Sequence, residues 1–432
     1  MPIPIHIKNE GVCVFVRKIL LQRGCPFHLA GLRLANYMVE PGKAANTKVS
    51  ILSIHSSLTL FNSMPDANSM RYTSILILLL VSFRCMSQSI DTSRYRISVE
   101  LSEEANRYFK NDGIWCGADG ASSIDLGNNR ILWLFSDGFI CSDSTRSRKK
   151  SKMIRNSVAI QRGYDLKTSS ITYYWDKSGK EAKPFFTLPG NYWAWTGHGV
   201  MLNDKLIIFL IKEHAIKDKL GFEACGWYMV LVSNPEDEPS EWKMKYVKGA
   251  ETFGVIAGAA VLKDSNYVYS FGAVEPDTHE GYLLRWKSEA VLAGDISKPE
   301  WCIDGKWIFR KSKDPVPKPL FTGGTEFSVH YDSLLRKYIQ VQSFGFGEGT
   351  IELRMADSIN GQWTKPLSFY KPEYPGVKKP FMYSAKSHPE LKADGMYITY
   401  NVNSFDFGEL IENQDIYFPK FILIKITENK PR

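Results

Sequence analysis

The chain has 432 residues, 44% hydrophobic and 13% aromatic, with 54 Lys+Arg against 46 Asp+Glu. This composition excludes a disordered chain and leaves room for one large all-β domain or several smaller ones. The net charge of +8 does not indicate nucleic acid: residues 1–87 hold nine basic and three acidic side chains, which leaves 45 against 43 for the remainder. A nucleic-acid binder carries its surplus on the folded domain, where it can displace counterions.

Residues 1–69 read as an upstream extension, either non-native or disordered, because an export-like segment begins only at Met70. Residues 70–87 read as a signal peptide: Arg71, the apolar run Ile75 to Val81, then Cys85-Met86-Ser87 with small side chains before a cut at Gln88. Seven apolar residues give only about 10 Å of helix against a hydrocarbon core of about 30 Å, so no integral span is expected. The expected location is secreted or periplasmic. Cys116, Cys141, Cys225 and Cys302 lie beyond the cut without metal-site spacing, and read as mostly free, with one optional disulfide.

Residues 88–432 carry five segments with one grammar: small or polar residues, a short strand, a tight turn, then a β-rich strand. They are 117–139, 195–214, 256–275, 325–345 and 385–404. Asn, Asp, Gly or Ser supplies each turn. Several hairpins precede a second strand pair with a late tryptophan: Trp242, Trp301 and Trp363, with Trp175 as a candidate fourth. Four strands per repeat predict an all-β fold, a five-bladed β-propeller with four antiparallel strands per blade and no remainder for a second domain.

Positions equidistant from a hairpin turn face one another. A first turn at Asn128 sets Asp119 across from Asp137, and a second between Asn203 and Asp204 sets Trp195 beside Lys212 and Glu213. A fourth at Leu334 sets Glu326 opposite Gln342, and a fifth around Ala393 brings Tyr383 near Asn403 and Ala385 near Asn401, with His388 one turn deeper. The inner strands of a propeller start at one mouth of its channel, so these residues should ring one pocket. Trp193 and Trp195 alternate about Ala194 and share a face. Carboxylic acids with aromatic walls suit glycoside hydrolysis, and Asn, Gln and His read hydroxyls. The expected catalytic set is Asp119, Glu326 and Asp137. The expected substrate contacts are Trp193, Trp195, His198, Glu213, Gln342, Tyr383, His388, Asn401 and Asn403. Two of these have a plain alternative: Glu213 as a solvated strand end, and either histidine as a structural group. The basic run Arg146 to Lys150 reads as a solvated loop.

The motifs GADGASS (117–123), LWLFSDGF (132–139), EFSVHYD (326–332), SINGQWTKP (358–366), AKSHPEL (385–391) and YNVNSFDF (400–407) carry a resemblance over residues 112–420. The chain resembles the five-bladed propeller glycosidases, the superfamily of arabinanases, xylosidases and fructosidases. Within it, the likeness is greatest to a less characterised branch of secreted bacterial propellers. The resemblance implies that Asp119 is the base, Glu326 the general acid, and His388 a residue near a central metal or water. The sequence departs at blade three, where a second Asp normally tunes the acid but the strand reads IAGAAVL. Asp137 is then the candidate tuner.

The expectation is therefore a monomeric, secreted glycoside hydrolase acting on a polysaccharide or oligosaccharide. No cofactor is required by the motifs. The resemblance allows a calcium ion or ordered water in the central channel, the metal itself being unknown. Two rivals remain: a carbohydrate-binding propeller without catalysis, and a protein-interaction propeller that uses its rim.

Overall fold

A computed structural model describes residues 92–429 except 218–220, 276–277, 312, 325 and 345–348. The signal peptide and extension expected in residues 1–87 lie outside the described residues. The described chain is all-β. Five antiparallel sheets follow one another, each with its strands in chain order apart from one closing strand and one short strand of the third sheet.

Sheet one contains Ser122–Gly127, Arg130–Phe135, Ser157–Arg162 and Ser170–Tyr174. Sheet two contains Tyr192–Leu202, Lys205–Ala215, Phe222–Val232 and Met244–Lys248. Sheet three begins with Val255–Lys263, Tyr267–Val274 and Glu280–Lys287, and continues through two short outer strands, with Phe321–Thr322 beside the third. Sheet four contains Phe327–Asp332, Lys337–Phe344, Thr350–Ala356 and Leu367–Tyr370. Sheet five contains Pro380–His388, Met396–Ser404 and Lys420–Glu428, and takes its outermost strand, Tyr95–Leu101, from the other end of the domain.

The innermost strand of each sheet packs against that of the next, and the fifth packs against the first. Bare backbone makes the closest of these approaches possible. A Cβ on Gly197 would stand 2.6 Å from the Gly258 carbonyl oxygen, so only glycine lets sheets two and three meet there. The sheet faces are apolar where they stack, with the interior split into contiguous clusters between neighbouring sheets. Each late tryptophan marks the way into an outer strand: Trp242 precedes Met244–Lys248, Trp301 lies in Glu300–Ile303, and Trp363 precedes Leu367–Tyr370. All three are buried.

A small sheet of Trp115–Ala118, Gly138–Cys141 and Ser151–Ile154 holds the ends of the first hairpin together. A disulfide joins Cys116 to Cys141 across it, while Cys225 and Cys302 are free. Beside it, the expected solvated loop 146–150 is corrected. Arg148 is 2% exposed and donates to the carbonyls of Cys116, Leu410, Asn413 and Ile416 at 2.7–2.9 Å. Its planar fork satisfies four acceptors that a turn would otherwise bury unpaired. Gly117 has φ +106, and a Cβ there would meet the Tyr417 carbonyl oxygen at 2.4 Å.

Candidate active site

The first hairpin pairs as the arithmetic requires. Asn128 and Asn129 take positive φ in its turn, and Ser122 faces Leu134. Beyond the strand, the Asp119 amide donates to the Asp137 carbonyl at 3.1 Å and the Ser136 amide to the Asp119 carbonyl at 2.9 Å. Asp119 and Asp137 thus arrive side by side.

Asp119 Oδ2 accepts from the hydroxyls of Tyr383 at 2.7 Å and Tyr417 at 3.2 Å. Burial, then the charges of Asp137 and Glu326, push its carboxyl well above the usual range, against the pull of the two phenols. Two acids of one hairpin and a third that precedes sheet four therefore influence one proton. Asp137 Oδ2 accepts from Arg155 at 3.0 Å and its Oδ1 from the Trp195 indole at 2.8 Å. Burial raises Asp137, and Arg155 and Trp195 oppose it. Arg155 also lies 4.4 Å over the Trp193 ring.

Three other pairings differ from the arithmetic, two of them through bulges. In sheet two an irregularity between Ile208 and Leu210 moves the register by one, so Trp195 faces Ile211 and Glu213 faces Trp193. In sheet four Phe327, not Glu326, stands opposite Gln342. In sheet five a bulge at Ser384 and Ala385, with Ser384 at φ 58°, puts Tyr383 opposite Asn401. Asn403 still donates to the Tyr383 hydroxyl at 3.4 Å.

These shifts, together with burial, sort the expected contacts. Asp119, Asp137, Glu326, Trp193, Trp195, His198, Tyr383 and Asn403 keep partial exposure; Glu213, Gln342, His388 and Asn401 are buried. Gln342 belongs to a network inside sheet four, donating to Glu352 at 2.7 Å and accepting from Gln340 at 2.7 Å. Asn401 donates to the Ala118 carbonyl at 3.2 Å. His388 contacts Ser123 Oγ through Nδ1 at 2.6 Å and Thr399 Oγ1 through Nε2 at 2.7 Å. His198 accepts the Val261 amide at Nδ1, so its Nε2, 3.0 Å from the Ser123 carbonyl, carries the proton. Its pKa falls to about 4, chiefly through burial.

Glu213 is not a solvated strand end. It is 2% exposed, and its Oε2 has no hydrogen-bond partner. Burial, then the charges of Asp137 and Glu275, push its carboxyl up to about 8, so it holds a proton at neutral pH. Glu275 is the acid of sheet three whose charge reaches Glu213. It follows that sheet's second strand and lies 2.9 Å from His279 Nδ1. Sequence reasoning missed Glu275, Tyr417, Arg155 and Lys386. A signal for Glu275 was present: Asp137, Glu213 and Glu275 each stand at the end of the second strand of a hairpin.

The residues do not fit a divalent cation in the ring interior. Among the described residues, no three His, Cys, Asp or Glu side chains converge to hold one. Both nitrogens of His388 and of His198 are engaged, and the buried amine of Lys386 donates to the Gly120 carbonyl and Ser384 Oγ. A cavity of about 540 Å³ opens at the opposite ends of the innermost strands, lined by Ser123, His198, Ser328, His330 and Glu390 among others. Asp119, Asp137 and Glu326 do not line it. Among the described residues no helix is long and apolar enough to cross a membrane.

The chain belongs to the family Domain of unknown function (DUF5005), whose model matches residues 102–426. Among solved structures, a protein of Bacteroides ovatus ATCC 8483 described as a candidate hydrolase aligns with a TM-score of 0.62 at 16% identity, over 76% of this chain and 90% of its own. The GH62 alpha-L-arabinofuranosidase catalytic domain of Coprinopsis cinerea aligns with a TM-score of 0.41 at 10% identity, over 72% of this chain and 92% of its own. The xylan beta-1,4-xylosidase of Bacillus halodurans C-125 aligns with a TM-score of 0.41 at 12% identity, over 73% of this chain and 54% of its own. At such identities the likeness is one of fold. No curated protein matches the chain by sequence.

Proposed function

We propose that the chain is a five-bladed β-propeller glycoside hydrolase acting on a polysaccharide or oligosaccharide. One observation supports this reading: Asp119 and Asp137 stand side by side beyond one hairpin, Glu326 precedes sheet four, all three keep partial exposure, and the charges of Asp137 and Glu326 both raise Asp119. Glycoside hydrolysis needs one protonated and one ionised carboxyl on either side of the bond, and like charges in a poorly hydrated site produce that division. The closed succession of five innermost strands supports the blade count.

In this reading Asp119 is the base. Burial and the neighbouring acids raise its carboxyl; the two phenol donors on Oδ2 oppose that rise, and they leave Oδ1 to take a proton from water once Asp119 is ionised. Glu326 is the acid, and Asp137, held by Arg155 and Trp195, tunes its neighbours. The exposed faces of Trp193 and Trp195 would stack on sugar C–H faces, with Tyr383 and Asn403 reading hydroxyls. The Cys116–Cys141 disulfide supports export to an oxidising compartment, secreted or periplasmic.

The test is a panel of arabinan, xylan and fructan substrates, with Glu326→Gln beside the wild type. Cleavage of at least one substrate is expected, with a loss of about 100-fold or more in Glu326→Gln on poor leaving groups. Wild-type cleavage retained in Glu326→Gln removes it as the acid. Glycan binding without cleavage by the wild type would replace the enzyme with a binding module.

A further inference from the structure

Tyr383, whose hydroxyl donates to Asp119, is the inner end of a stack of three rings. Phe381 lies two residues away on the same innermost strand, and therefore on the same face. Its ring stacks on Tyr383 with centroids 5.4 Å and planes 28° apart. It also stacks on Phe405, with centroids 4.3 Å and planes 27° apart. Phe405 is 59% exposed although one of its faces lies against Phe381, so the opposite face is open to solvent. It is not a loose tip. Its amide donates to the Lys379 carbonyl at 3.1 Å, and the next amide, of Asp406, donates to Ser404 Oγ at 2.9 Å. Asp406 then caps the helix Phe407–Glu412, its Oδ1 accepting from the Gly408 amide at 3.0 Å.

A second run of rings begins at Asp137. The Trp195 indole donates to that carboxylate at 2.8 Å, and Phe222 meets Trp195 edge-on with centroids 4.8 Å apart. Sheet one stands between sheet five and sheet two in the ring of innermost strands. Asp119 and Asp137 stand side by side beyond its first hairpin, so aromatic surface leaves the acid pair on both sides. A site for a chain end needs sugar-binding surface on one side of the bond alone. Surface on both sides fits a chain that continues in both directions. An anchored phenylalanine with a bare face keeps apolar area in water, which marks a binding surface when it is continuous with a site. The flat face of Phe405 suits the C–H face of a sugar ring, and it carries no polar atom that would select one hydroxyl pattern.

We propose that Phe405, stacked on Phe381, is a distal platform for a polysaccharide that lies across the acid pair from sheet five to sheet two. The site then binds internal segments of the polymer and not its ends. Phe405 meets the sugar, Phe381 supports it, and Tyr383 joins the platform to Asp119. The inference rests on the functional reading above for the acid pair as the centre of the site. Its test measures polymer binding, so a propeller that binds without cleaving leaves it standing, and a hydrolase of chain ends removes it alone.

The experiment is affinity electrophoresis of the full chain in gels containing arabinan, xylan or fructan. At least one polymer should retard the wild type, and Phe405→Ala should raise the apparent Kd for it about fivefold or more. Phe405→Tyr should restore most of the binding, since it keeps the flat face. Leu334→Ala, at a 93% exposed position in the sheet-four turn, should change nothing. Wild-type affinity in Phe405→Ala, or a wild type retarded by none of the three polymers, overturns the proposal. An equal loss in Leu334→Ala also overturns it, because that result marks non-specific adsorption. A second arm needs no variant. On any polymer that is cleaved, viscosity should fall steeply before much reducing sugar appears. Release of single sugars from the outset shows chain-end action and overturns the proposal.

Discussion

Asp137 accepts from a guanidinium and an indole, and its charge disturbs two other carboxyls, Asp119 and Glu213. Removing that charge should let both neighbours ionise at lower pH. Asp137→Asn should accordingly move the acidic limb of the pH–rate profile, set by Asp119 as the base, toward lower pH, by about one unit for about 1.4 kcal/mol of lost repulsion. The limb measured on any cleaved glycan decides this; an unmoved limb removes Asp137 as the tuner. The residue types of this cluster were legible in the sequence, since an acid at a strand end needs a reason. The partners were not. Arg155 lies 18 residues from Asp137, Tyr383 lies 264 from Asp119, and no local pattern announces either contact.

At the level of elements, hairpin arithmetic placed strands correctly and single side chains less well. It assumes one residue opposite one residue, and a bulge sets two against one. The first hairpin has its irregularity next to the turn, between Asp125 and Gly127, and keeps one register from Asp125 outward, so the expectation for Asp119 and Asp137 holds. In sheets two and five the bulges fall between the turn and the mouth, so every partner beyond them moves by one. The small sheet of Trp115–Ala118 and Gly138–Cys141 supports the first of these ends, since it carries the backbone on either side of the acid pair. Cross-linking it closes a loop of 25 residues. Cys141→Ser should therefore cost about 3 kcal/mol and lower the melting temperature by several degrees in oxidising buffer. Reduction of the wild type should reproduce the change. A melting temperature within about 1 °C of wild type would mean that Arg148 and its four carbonyl partners suffice to hold this corner.

Across the whole molecule, buried titratable groups pull stability in two directions. Glu213, raised to about 8, and Glu390, raised to about 7, bind protons more tightly in the folded state than in the unfolded. Their contribution is lost as pH rises from the ordinary carboxyl range through those values. His198 and His330, both lowered to about 4, bind protons less tightly when folded, so their cost grows as pH falls from 6.5 to 4. The opposing slopes place the stability maximum near about pH 6. Glu213→Gln should flatten the alkaline side, gaining on the order of 2 kcal/mol relative to wild type between pH 5 and pH 8. Urea titrations at the two pH values measure the difference, and equal losses in both proteins would show that Glu213 does not carry the slope.

Strand repetition, turn chemistry and the tryptophan spacing determined the all-β class and the five successive sheets, because alternation and turn preference act over a few residues and need no distant partner. The pairing of Asp119 with Asp137 belongs with them, being the continuation of one tight hairpin. Tertiary structure alone decided the rest. It placed Arg148 inside instead of in solvent, and raised Glu213 by burial. It brought the charge of Glu275, just after the second strand of sheet three, to bear on Glu213, and buried the Lys386 amine against the Gly120 carbonyl, 266 residues away. Those outcomes depend on desolvation and on charges arriving from other sheets, and both come into being only when the ring of inner strands closes.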